Sequence, residues 1–511
     1  MTVIIDGNSL TIEQIRAVAY GGEKVELSAK AKERVNASRA LIEKMVADGD
    51  AIYGVTTGIG EFARIRVTPE QGEELQRRIV YSHAASTGDV QRAEGVKAAM
   101  LCRANTLSKG YSGVRLEMLQ TYIDILNSGI VPVVYEKGSV GTSGDLSPMS
   151  QLAMVALGEG EAFWQGKRIP GGEALKLAGI KPVKPSYKEG LGLINGAQMM
   201  TGESALQLWE AERLIKNGII SMAMSLDALK AVQKPFHPTV HNLRPFKGQI
   251  TVAQNLRRMF TGSEIIAEGG GKVQDGYSMR CTPQVVGPSI DAFHFVRGQI
   301  MTEMNSVSDN PLFIPEENIH LAAGNFHAQS TAMAMDFLAI ALAEVASLAE
   351  RHTNRLLNPV LSGMPDFLVE GRGLNSGLMV AQYTQAALIS ENKVLCHPAV
   401  VDSISVSADQ EDHVNMGPVA VRKCREVLKN VGAVIAIQML AAAQAIDFRK
   451  PLKPGKGVQA AYDVIRSKVS FMEDDRALYP DIEAICELVR GNDVLNAVES
   501  AIGPIRLEPE E

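Results

Sequence analysis

The stretch Gly138-Ser-Val-Gly-Thr-Ser-Gly-Asp-Leu-Ser-Pro148 carries the most information about this chain. At its centre, Thr142-Ser143-Gly144 has the groups that a backbone needs to close on itself into an electrophile. Gly144 has no Cβ, so its amide nitrogen can reach the carbonyl carbon of Thr142 at little steric cost. Loss of water from the ring and from the Ser143 side chain leaves a conjugated, electron-poor alkene. Proteins usually depend on a cofactor for such an electrophile. Taken alone, the triplet also fits a glycine-rich loop without chemistry.

Further motifs follow one another along almost the whole chain. They are Tyr53-Gly-Val-Thr-Thr-Gly-Ile-Gly60, Ser82-His83, Leu193-Ile-Asn195-Gly, Val273-Gln-Asp-Gly-Tyr277-Ser-Met-Arg280, Ser308-Asp-Asn-Pro-Leu312, Gly324-Asn-Phe-His327 and Gln410-Glu-Asp-His413. With the stretch above, this series resembles the histidine and aromatic amino-acid ammonia-lyases and their aminomutase relatives. The resemblance implies that Thr142, Ser143 and Gly144 mature into 4-methylidene-imidazole-5-one, with no metal or nucleotide cofactor.

The composition is that of an ordinary globular chain. Of the 511 residues, 46% are hydrophobic and 21% are charged, which is usual for globular proteins. The formal net charge of −7 and the lack of long basic runs argue against a nucleic-acid surface. We therefore expect a small-molecule substrate, an amino acid, and no nucleic-acid partner.

Cysteine usage and apolar segments favour a cytoplasmic protein without a membrane partner. The five cysteines are scattered and form no C-x-x-C pair, which is typical of a reducing compartment. Residues 1–6 show no basic segment leading into a long apolar one, so no signal peptide is predicted. The apolar segments 331–350 and 431–446 contain acidic or amide side chains, and we expect buried helices there.

Helical spacing of apolar residues dominates the chain. It predicts helices over 29–48, 69–81, 94–108, 115–128 and 173–178, and longer ones over 205–232, 291–307, 327–357, 376–393 and 418–445. Short strands are predicted over 3–6, 163–168 and 312–314, each too brief to build a large sheet.

These patterns predict a mainly α fold: a long-helix bundle with a mixed, loop-rich N-terminal region. We place the boundary near residue 200, with 1–200 bearing the prosthetic-group loop and 201–511 forming the central and C-terminal helical bundle. The resemblance implies an ammonia-lyase fold of the fumarase/aspartase-like type. It also implies a homotetramer whose active sites are built from several subunits.

Ammonia elimination requires the loss of a weakly acidic β-proton together with a poor leaving group. An electrophile that captures the amine, a base at the β-carbon and fixed donors for the carboxylate meet these needs. The resemblance assigns the electrophile to Ser143, the base to Tyr53, and further catalytic roles to Tyr277 and Glu411. A phenol acts as a base only if its pKa falls well below its usual ~10.

The substrate-binding candidates carry polar or aromatic side chains. Arg280 offers a planar fork suited to a carboxylate and shares a face with Tyr277 if the segment is helical. Asn195 is expected to bind the cofactor's carbonyl or the substrate carboxyl, although Asn-Gly alone indicates a turn. The resemblance adds Gln274 and Asn325 as polar contacts and Phe326 as a residue packed on the electrophile.

Specificity depends on the residues expected at the substrate's ring. His83 suits an imidazole or a phenol, and Glu411 matches the acidic position of the histidine-directed branch. A carboxylate can partner an imidazole N–H or the departing ammonium, whereas a phenylalanine ring gains nothing from it. Met379 also resembles that branch, although core packing explains a helical Met equally well. Thr142 departs from the family's usual Ala.

The sequence therefore predicts an ammonia-lyase, with L-histidine as the first choice of substrate, giving urocanate and ammonia. The alternatives are a tyrosine or phenylalanine ammonia-lyase, and an aromatic amino-acid 2,3-aminomutase. A non-enzymatic alternative is an inactive paralogue that serves as a helical assembly or binding protein. No metal site is predicted, because His237 and His241 are separated by Pro238 and lack the Glu of a metalloprotease helix.

Overall fold

The structure is a computed structural model that describes residues 2–510. Helices account for 59% of it and strands for little, which confirms the predicted mainly α fold. The helices are α1 (Ile12–Ala19), α2 (Ala29–Ala47), α3 (Pro69–His83), α4 (Ala93–Ser108), α5 (Leu116–Ser128), α6 (Leu146–Ala156), α7 (Gly171–Leu177), α8 (Glu189–Ile194), α9 (Gln198–Ala228), α10 (Pro238–Asn242), α11 (Lys247–Met259), α12 (Glu264–Glu268), α13 (Tyr277–Arg280), α14 (Thr282–Met304), α15 (Gln329–Leu357), α16 (Pro359–Ser362), α17 (Met379–Leu395), α18 (Gly417–Asp447), α19 (Lys456–Arg466), α20 (Tyr479–Gly491) and α21 (Asp493–Ile502). Three 3₁₀ turns add Gly60–Arg64, Lys234–Phe236 and Asp366–Leu368.

Two compact units are present, each assembled from three segments of the chain. The first comprises Met1–Trp209, Arg297–Asp336 and Pro398–Arg422. The second comprises Glu210–Val296, Phe337–His397 and Lys423–Glu511. A domain boundary near residue 200 remains a prediction.

Helix starts follow local capping chemistry. The Ser28 side chain accepts a hydrogen bond from the Ala31 amide and begins α2, as expected. Thr68 and Gln71 form a capping box at the start of α3. That helix ends at His83, which places the imidazole at a fixed position on the helix end.

The strands form small separate sheets in the first unit. They are β1 (Thr2–Ile5), β2 (Lys24–Leu27), β3 (Thr87–Val90), β4 (Val131–Pro132), β5 (Tyr135–Lys137), β6 (Glu161–Trp164), β7 (Lys167–Pro170), β8 (Leu312–Ile314) and β9 (Ile319–Leu321). β1 and β2 pair in parallel; β3 with β5, β8 with β9, and the series β4-β6-β7 pair antiparallel.

One predicted strand was wrong. Residues 163–168 are not a continuous strand, because the chain reverses at Gln165 and Gly166, whose φ angles are +49° and +78°. Two consecutive left-handed residues are the geometry of a tight hairpin turn. The segment therefore contributes the end of β6 and the beginning of β7.

The first unit has a compact apolar cluster beneath its N-terminal helices. It consists of Leu41, Ile42, Met45, Ile52, Val55 and Phe313, all at most 6% exposed. Ile52 and Val55 flank Tyr53, so burial of these two neighbours fixes the backbone from which the phenol projects. The cluster thereby positions the first candidate catalytic residue.

The second unit is built from long helices cross-linked by buried polar side chains. Gln438 on α18 accepts a hydrogen bond from the Ser221 hydroxyl on α9, at 2.6 Å. The Ser289 hydroxyl on α14 donates to the Ala341 carbonyl on α15 at 2.7 Å. Such bonds satisfy polar groups within an apolar bundle and fix the register of the helices.

Two of the long helices resemble membrane spans in length and composition. They are Gln329–Leu357 and Gly417–Asp447, and 67% and 72% of their most apolar windows are buried within the fold. Core helices of globular proteins satisfy the same criterion, and this degree of burial agrees with the buried helices expected from the sequence.

Candidate active site

The Thr142-Ser143-Gly144 triplet lies in a tight loop that only glycine at position 144 permits. Gly144 has a φ of +73°, and a Cβ built on it would stand 2.0 Å from the carbonyl carbon of Gly196. The backbone of Ser143 is also in the left-handed region, with a φ of +52°. The Gly196 amide donates to the Ser143 carbonyl at 3.1 Å, and the Asp145 amide donates to the Gly196 carbonyl at 2.8 Å. The Ile-Asn-Gly motif therefore clamps the triplet from one side.

A second segment of the chain holds the residues just before the triplet. The Asn415 amide nitrogen donates to the Gly141 carbonyl at 2.6 Å, and the Met416 backbone amide donates to the Val140 carbonyl at 3.0 Å. Asn415 is fully buried. The loop is thus fixed on both sides before any covalent change takes place.

The same segment brings Glu411 to the triplet. The Ser143 hydroxyl donates to Oε1 of Glu411 at 3.3 Å. Three consecutive residues just before Glu411, from Ser407 to Asp409, have left-handed φ angles between +51° and +62°. Backbone strain of this kind persists only where surrounding contacts impose it, and it concentrates at functional sites.

Asp145 holds the loop through a buried carboxyl group. Its two oxygens accept hydrogen bonds from the Ser139 hydroxyl at 3.1 Å and from the Met200 amide at 2.8 Å. Burial raises the pKa of Asp145 to about 7, although these two donors lower it. The carboxyl group is therefore able to change its protonation state near neutral pH.

The backbone carbonyl of Asn195 is held in place by a buried guanidinium group. The Arg103 guanidinium donates to the Asn195 carbonyl at 2.6 Å and to the Ser308 carbonyl at 3.0 Å. Arg103 is itself fully buried and lies 3.6 Å from the Asp309 carboxylate. Within residues 2–510 the buried Oδ1 of Asn195 has no hydrogen-bond partner, which suits it to a ligand.

Tyr53 lies half-buried beside Glu411, and its oxygen accepts a hydrogen bond from the Gly60 amide at 2.9 Å. Burial raises the pKa of Tyr53 above its usual value; the Gly60 amide lowers it and the Glu411 charge raises it. The first unit by itself therefore keeps the phenol protonated. A base role for Tyr53 requires an additional positive charge at the site.

His83 has one ring nitrogen committed to the helix that carries it. Nδ1 lies 2.8 Å from the Ile79 carbonyl, so it bears the proton in the neutral ring. Nε2 is then an acceptor. Asn325 is exposed and Phe326 half-buried in the loop between β9 and α15.

The remaining candidates belong to the second unit. Tyr277 and Arg280 form the ends of α13, and the guanidinium carbon lies 4.7 Å from the centre of the phenol ring, so the spacing of three does place them on one face. Tyr277 is 75% exposed. Gln274 is exposed, and Met379 is the half-buried first residue of α17.

A buried histidine supports α13 from inside the second unit. Nε2 of His352 lies 2.7 Å from the Ser278 carbonyl, and Nδ1 accepts from the Gln438 amide at 3.2 Å. Burial lowers the pKa of His352 to about 4, the Ser278 carbonyl raises it and the Arg355 charge lowers it. The imidazole is therefore a neutral bridge between α18 and the carbonyl that lies between Tyr277 and Arg280.

Sequence reasoning missed three of these positioning residues: Arg103, His352 and Asn415. Arg103 had a usable signal, because a lone charge within the apolar run Met100-Leu-Cys-Arg103-Ala predicts a buried, partnered guanidinium. Asn415 and His352 stand in no distinctive pattern, since their partners lie far away along the chain.

The residues present fit the predicted prosthetic group. Gly144 sits where no side chain can be accommodated, and Thr142 Oγ1 and Asn195 Oδ1 are buried atoms without partners among residues 2–510. Formation of the group would remove the Ser143 hydroxyl as water, and this hydroxyl donates a hydrogen bond to the Glu411 carboxylate.

A family model described as aromatic amino acid lyase matches residues 10–467, and the chain is a carbon–nitrogen lyase. The chain belongs to the aromatic amino acid lyase family. It is 48% identical to the histidine ammonia-lyase of Alkaliphilus oremlandii over 98% of this chain and 99% of that protein. The crystal structure of histidine ammonia-lyase from Trypanosoma cruzi is 40% identical, with a TM-score of 0.92 over 98% of this chain and 96% of that one.

Similarity extends to relatives with another activity. The structure of tyrosine aminomutase from Streptomyces globisporus is 36% identical, with a TM-score of 0.93 over 98% of this chain and 99% of that one. The fold is thus shared between enzymes named as lyases and as mutases, so the choice between the two depends on side chains at the site.

Proposed function

We propose that the protein is a histidine ammonia-lyase that converts L-histidine to urocanate and ammonia. The observation that carries this proposal is the hydrogen bond from Ser143 to the Glu411 carboxylate at 3.3 Å. It puts an acidic side chain at the reactive triplet, where an imidazole N–H or an ammonium group gains from it. Relatives named histidine ammonia-lyase, such as the protein of Alkaliphilus oremlandii, support the same substrate.

We further propose that Thr142, Ser143 and Gly144 form 4-methylidene-imidazole-5-one. When formed, this group supplies an electrophile for the substrate's amino group. The chain's own residues do the rest: Arg280 receives the carboxylate as a bidentate partner, Asn195 contributes its free side-chain oxygen, and His83 offers Nε2 to the imidazole. Gln274, Asn325, Phe326 and Met379 complete the proposed binding set.

Tyr53 is the proposed base for the β-proton. Its pKa is raised in the first unit alone, so the substrate has to supply the compensating charge. The ammonium group of an amino acid, placed beside Glu411, removes the repulsion that this carboxylate exerts on a phenolate. Deprotonation of Tyr53 is then coupled to the binding of substrate.

A homotetramer with shared active sites is proposed for the assembly. Apolar side chains at intervals of one turn remain exposed along α15: Met333, Phe337 and Ile340 are 56%, 44% and 40% exposed. Such a stripe is typical of a helix that packs against another chain. We place the assembly in the cytoplasm, because the five cysteines of each chain are free thiols.

Turnover of a substrate panel tests the activity. Incubation with L-histidine, L-tyrosine and L-phenylalanine is expected to produce a conjugated acid from L-histidine only. Chromatography for a β-amino acid tests the second candidate, an aromatic aminomutase, which the likeness to tyrosine aminomutase favours. Ser143→Ala is expected to abolish turnover and leave the oligomer intact; unchanged turnover would refute the self-formed group.

Mixed assemblies test the shared site. Tyr53→Phe and Tyr277→Phe are each expected to be inactive alone. If the two tyrosines of one site come from different chains, coexpression of the two variants restores part of the activity. Absence of activity in mixed oligomers, isolated through two affinity tags, would contradict this arrangement.

A further inference from the structure

The Thr142 hydroxyl is a buried polar group without an evident purpose. The residue is 5% exposed, and its Oγ1 has no hydrogen-bond partner within residues 2–510. An unpaired buried hydroxyl loses its hydrogen bonds to water without replacement, so each such atom in a folded protein calls for an explanation. An alanine at this position would avoid the cost altogether.

Three neighbouring carbonyl groups in the loop each accept a hydrogen bond from a group other than the Thr142 hydroxyl. The carbonyl of Gly141 accepts from Asn415 at 2.6 Å, that of Ser143 from the Gly196 amide at 3.1 Å, and that of Gly144 from the Ser139 hydroxyl at 3.3 Å. The uncyclised loop thus leaves these three acceptors engaged elsewhere.

Ring closure creates a new acceptor next to this hydroxyl. A bond forms between the Gly144 nitrogen and the carbonyl carbon of Thr142, and the carbonyl oxygen leaves as water with the amide hydrogens of Gly144 and Ser143. The Ser143 nitrogen is then doubly bonded to that carbon and holds a lone pair where it held a hydrogen. A second water takes the Ser143 hydroxyl together with the hydrogen on its Cα.

We propose that the Thr142 hydroxyl donates a hydrogen bond to this nitrogen and thereby makes the adjoining alkene more electrophilic. The inference rests on the proposed function, because it requires the cyclised triplet. Donor and acceptor are joined through the Thr142 Cβ, Cα and carbonyl carbon, so the hydrogen bond closes a six-membered ring that includes the hydrogen. Donation to the nitrogen withdraws electron density from the conjugated system.

Thr331 offers a matched control. It is 1% exposed, and its hydroxyl also lacks a partner among the described residues of the chain. It is not covalently adjacent to the triplet. Thr331→Val therefore removes an equivalent buried hydroxyl without touching the new acceptor.

The test measures the electrophile directly, without turnover. Intact-protein mass spectrometry first establishes whether each purified protein has lost two waters. The proteins are wild type, Thr142→Ser, Thr142→Val, Thr142→Ala and Thr331→Val. Cyanide is then added, and the decay of the group's ultraviolet absorbance gives the rate of nucleophilic addition. Wild type, Thr142→Ser and Thr331→Val are expected to react alike, and Thr142→Val and Thr142→Ala about twofold to tenfold more slowly.

The outcomes separate this inference from the function on which it rests. Equal trapping rates in fully cyclised proteins overturn the role of Thr142 and leave the proposed function standing. A wild-type mass without the loss of water overturns both. If Thr142→Val does not cyclise, the comparison of Thr142→Ser with Thr142→Ala decides, because it contrasts presence and absence of the hydroxyl alone.

Discussion

Glu411 accepts a hydrogen bond from Ser143 at 3.3 Å, across a long separation in sequence. The contact exists because Asn415 and Met416, which follow Glu411 closely, bond to the backbone just before the triplet. The backbone hydrogen bonds and the Glu411 contact therefore hold the same two segments together. A change at Glu411 is expected to alter the chemistry without displacing the loop.

Glu411→Gln is expected to lower kcat for L-histidine about a hundredfold or more, because a neutral amide cannot hold the substrate's ammonium group beside Tyr53 as a carboxylate does. It can still accept the Ser143 hydroxyl, so intact-mass measurement is expected to show full loss of two waters. Asp412→Asn, an exposed neighbour, serves as the control and is expected to retain wild-type kcat. Wild-type turnover by Glu411→Gln would remove Glu411 from the mechanism.

Gly144→Ala is expected to prevent cyclisation and to destabilise the fold. The new Cβ would meet the Gly196 carbonyl carbon at 2.0 Å, and overpacking of this kind costs about 1–3 kcal/mol. Gly166→Ala is the matched control: its φ is +78°, but nothing lies within 4 Å of the added Cβ. Gly166→Ala reports the cost of the left-handed backbone alone, about 1–2 kcal/mol. Equal thermal midpoints for the two variants would contradict the steric argument.

The motifs of the sequence predicted the reactive loop, but not the bonds that shape it. The triplet, Glu411 and the Tyr277–Arg280 face follow from short patterns whose chemistry is local. The clamp on the loop is different, because Gly196, Asn415 and Arg103 act through backbone groups at long sequence separation. Backbone contacts leave little trace in residue type. The missed hairpin at residues 165 and 166 has a similar cause, since Gln-Gly is a weaker turn signal than Asn-Gly.

Asp145→Asn is expected to make the stability of the fold less dependent on pH, because the parent protein loses stability as the pH rises. Burial raises the pKa of Asp145 from 3.8 to about 7, so the folded state binds the proton more tightly than the unfolded state does. The stabilisation is complete below pH 3.8 and is lost as the pH rises through 7, with a limit of about 4 kcal/mol. Asparagine does not titrate, so the variant should gain in thermal midpoint relative to its parent between pH 4 and 8.

Both proteins of that comparison carry Ser143→Ala, which keeps the loop uncyclised and separates stability from maturation. A difference in midpoint that stays constant with pH would show that the Asp145 carboxyl does not titrate in this range.

His352→Gln is expected to remove a pH dependence of the opposite sign, in which stability falls as the pH drops. Burial lowers the pKa of His352 from 6.5 to about 4, so the unfolded state binds the proton more tightly, and stability falls as the pH drops from 6.5 towards 4. The limit is about 3 kcal/mol. Glutamine can still donate to the Ser278 carbonyl but does not titrate, so the variant should lose less of its thermal midpoint than wild type over this interval.

His397→Gln, at an exposed histidine, is the control for the loss of a ring at the surface, and it is expected to follow wild type. The support that His352 gives to α13 has its own readout. His352→Leu removes the donor to the carbonyl between Tyr277 and Arg280, so KM for L-histidine should rise more than kcat falls, and His352→Gln should restore it. A rise in KM that glutamine does not reverse would mean that the imidazole contributes shape and not a hydrogen bond.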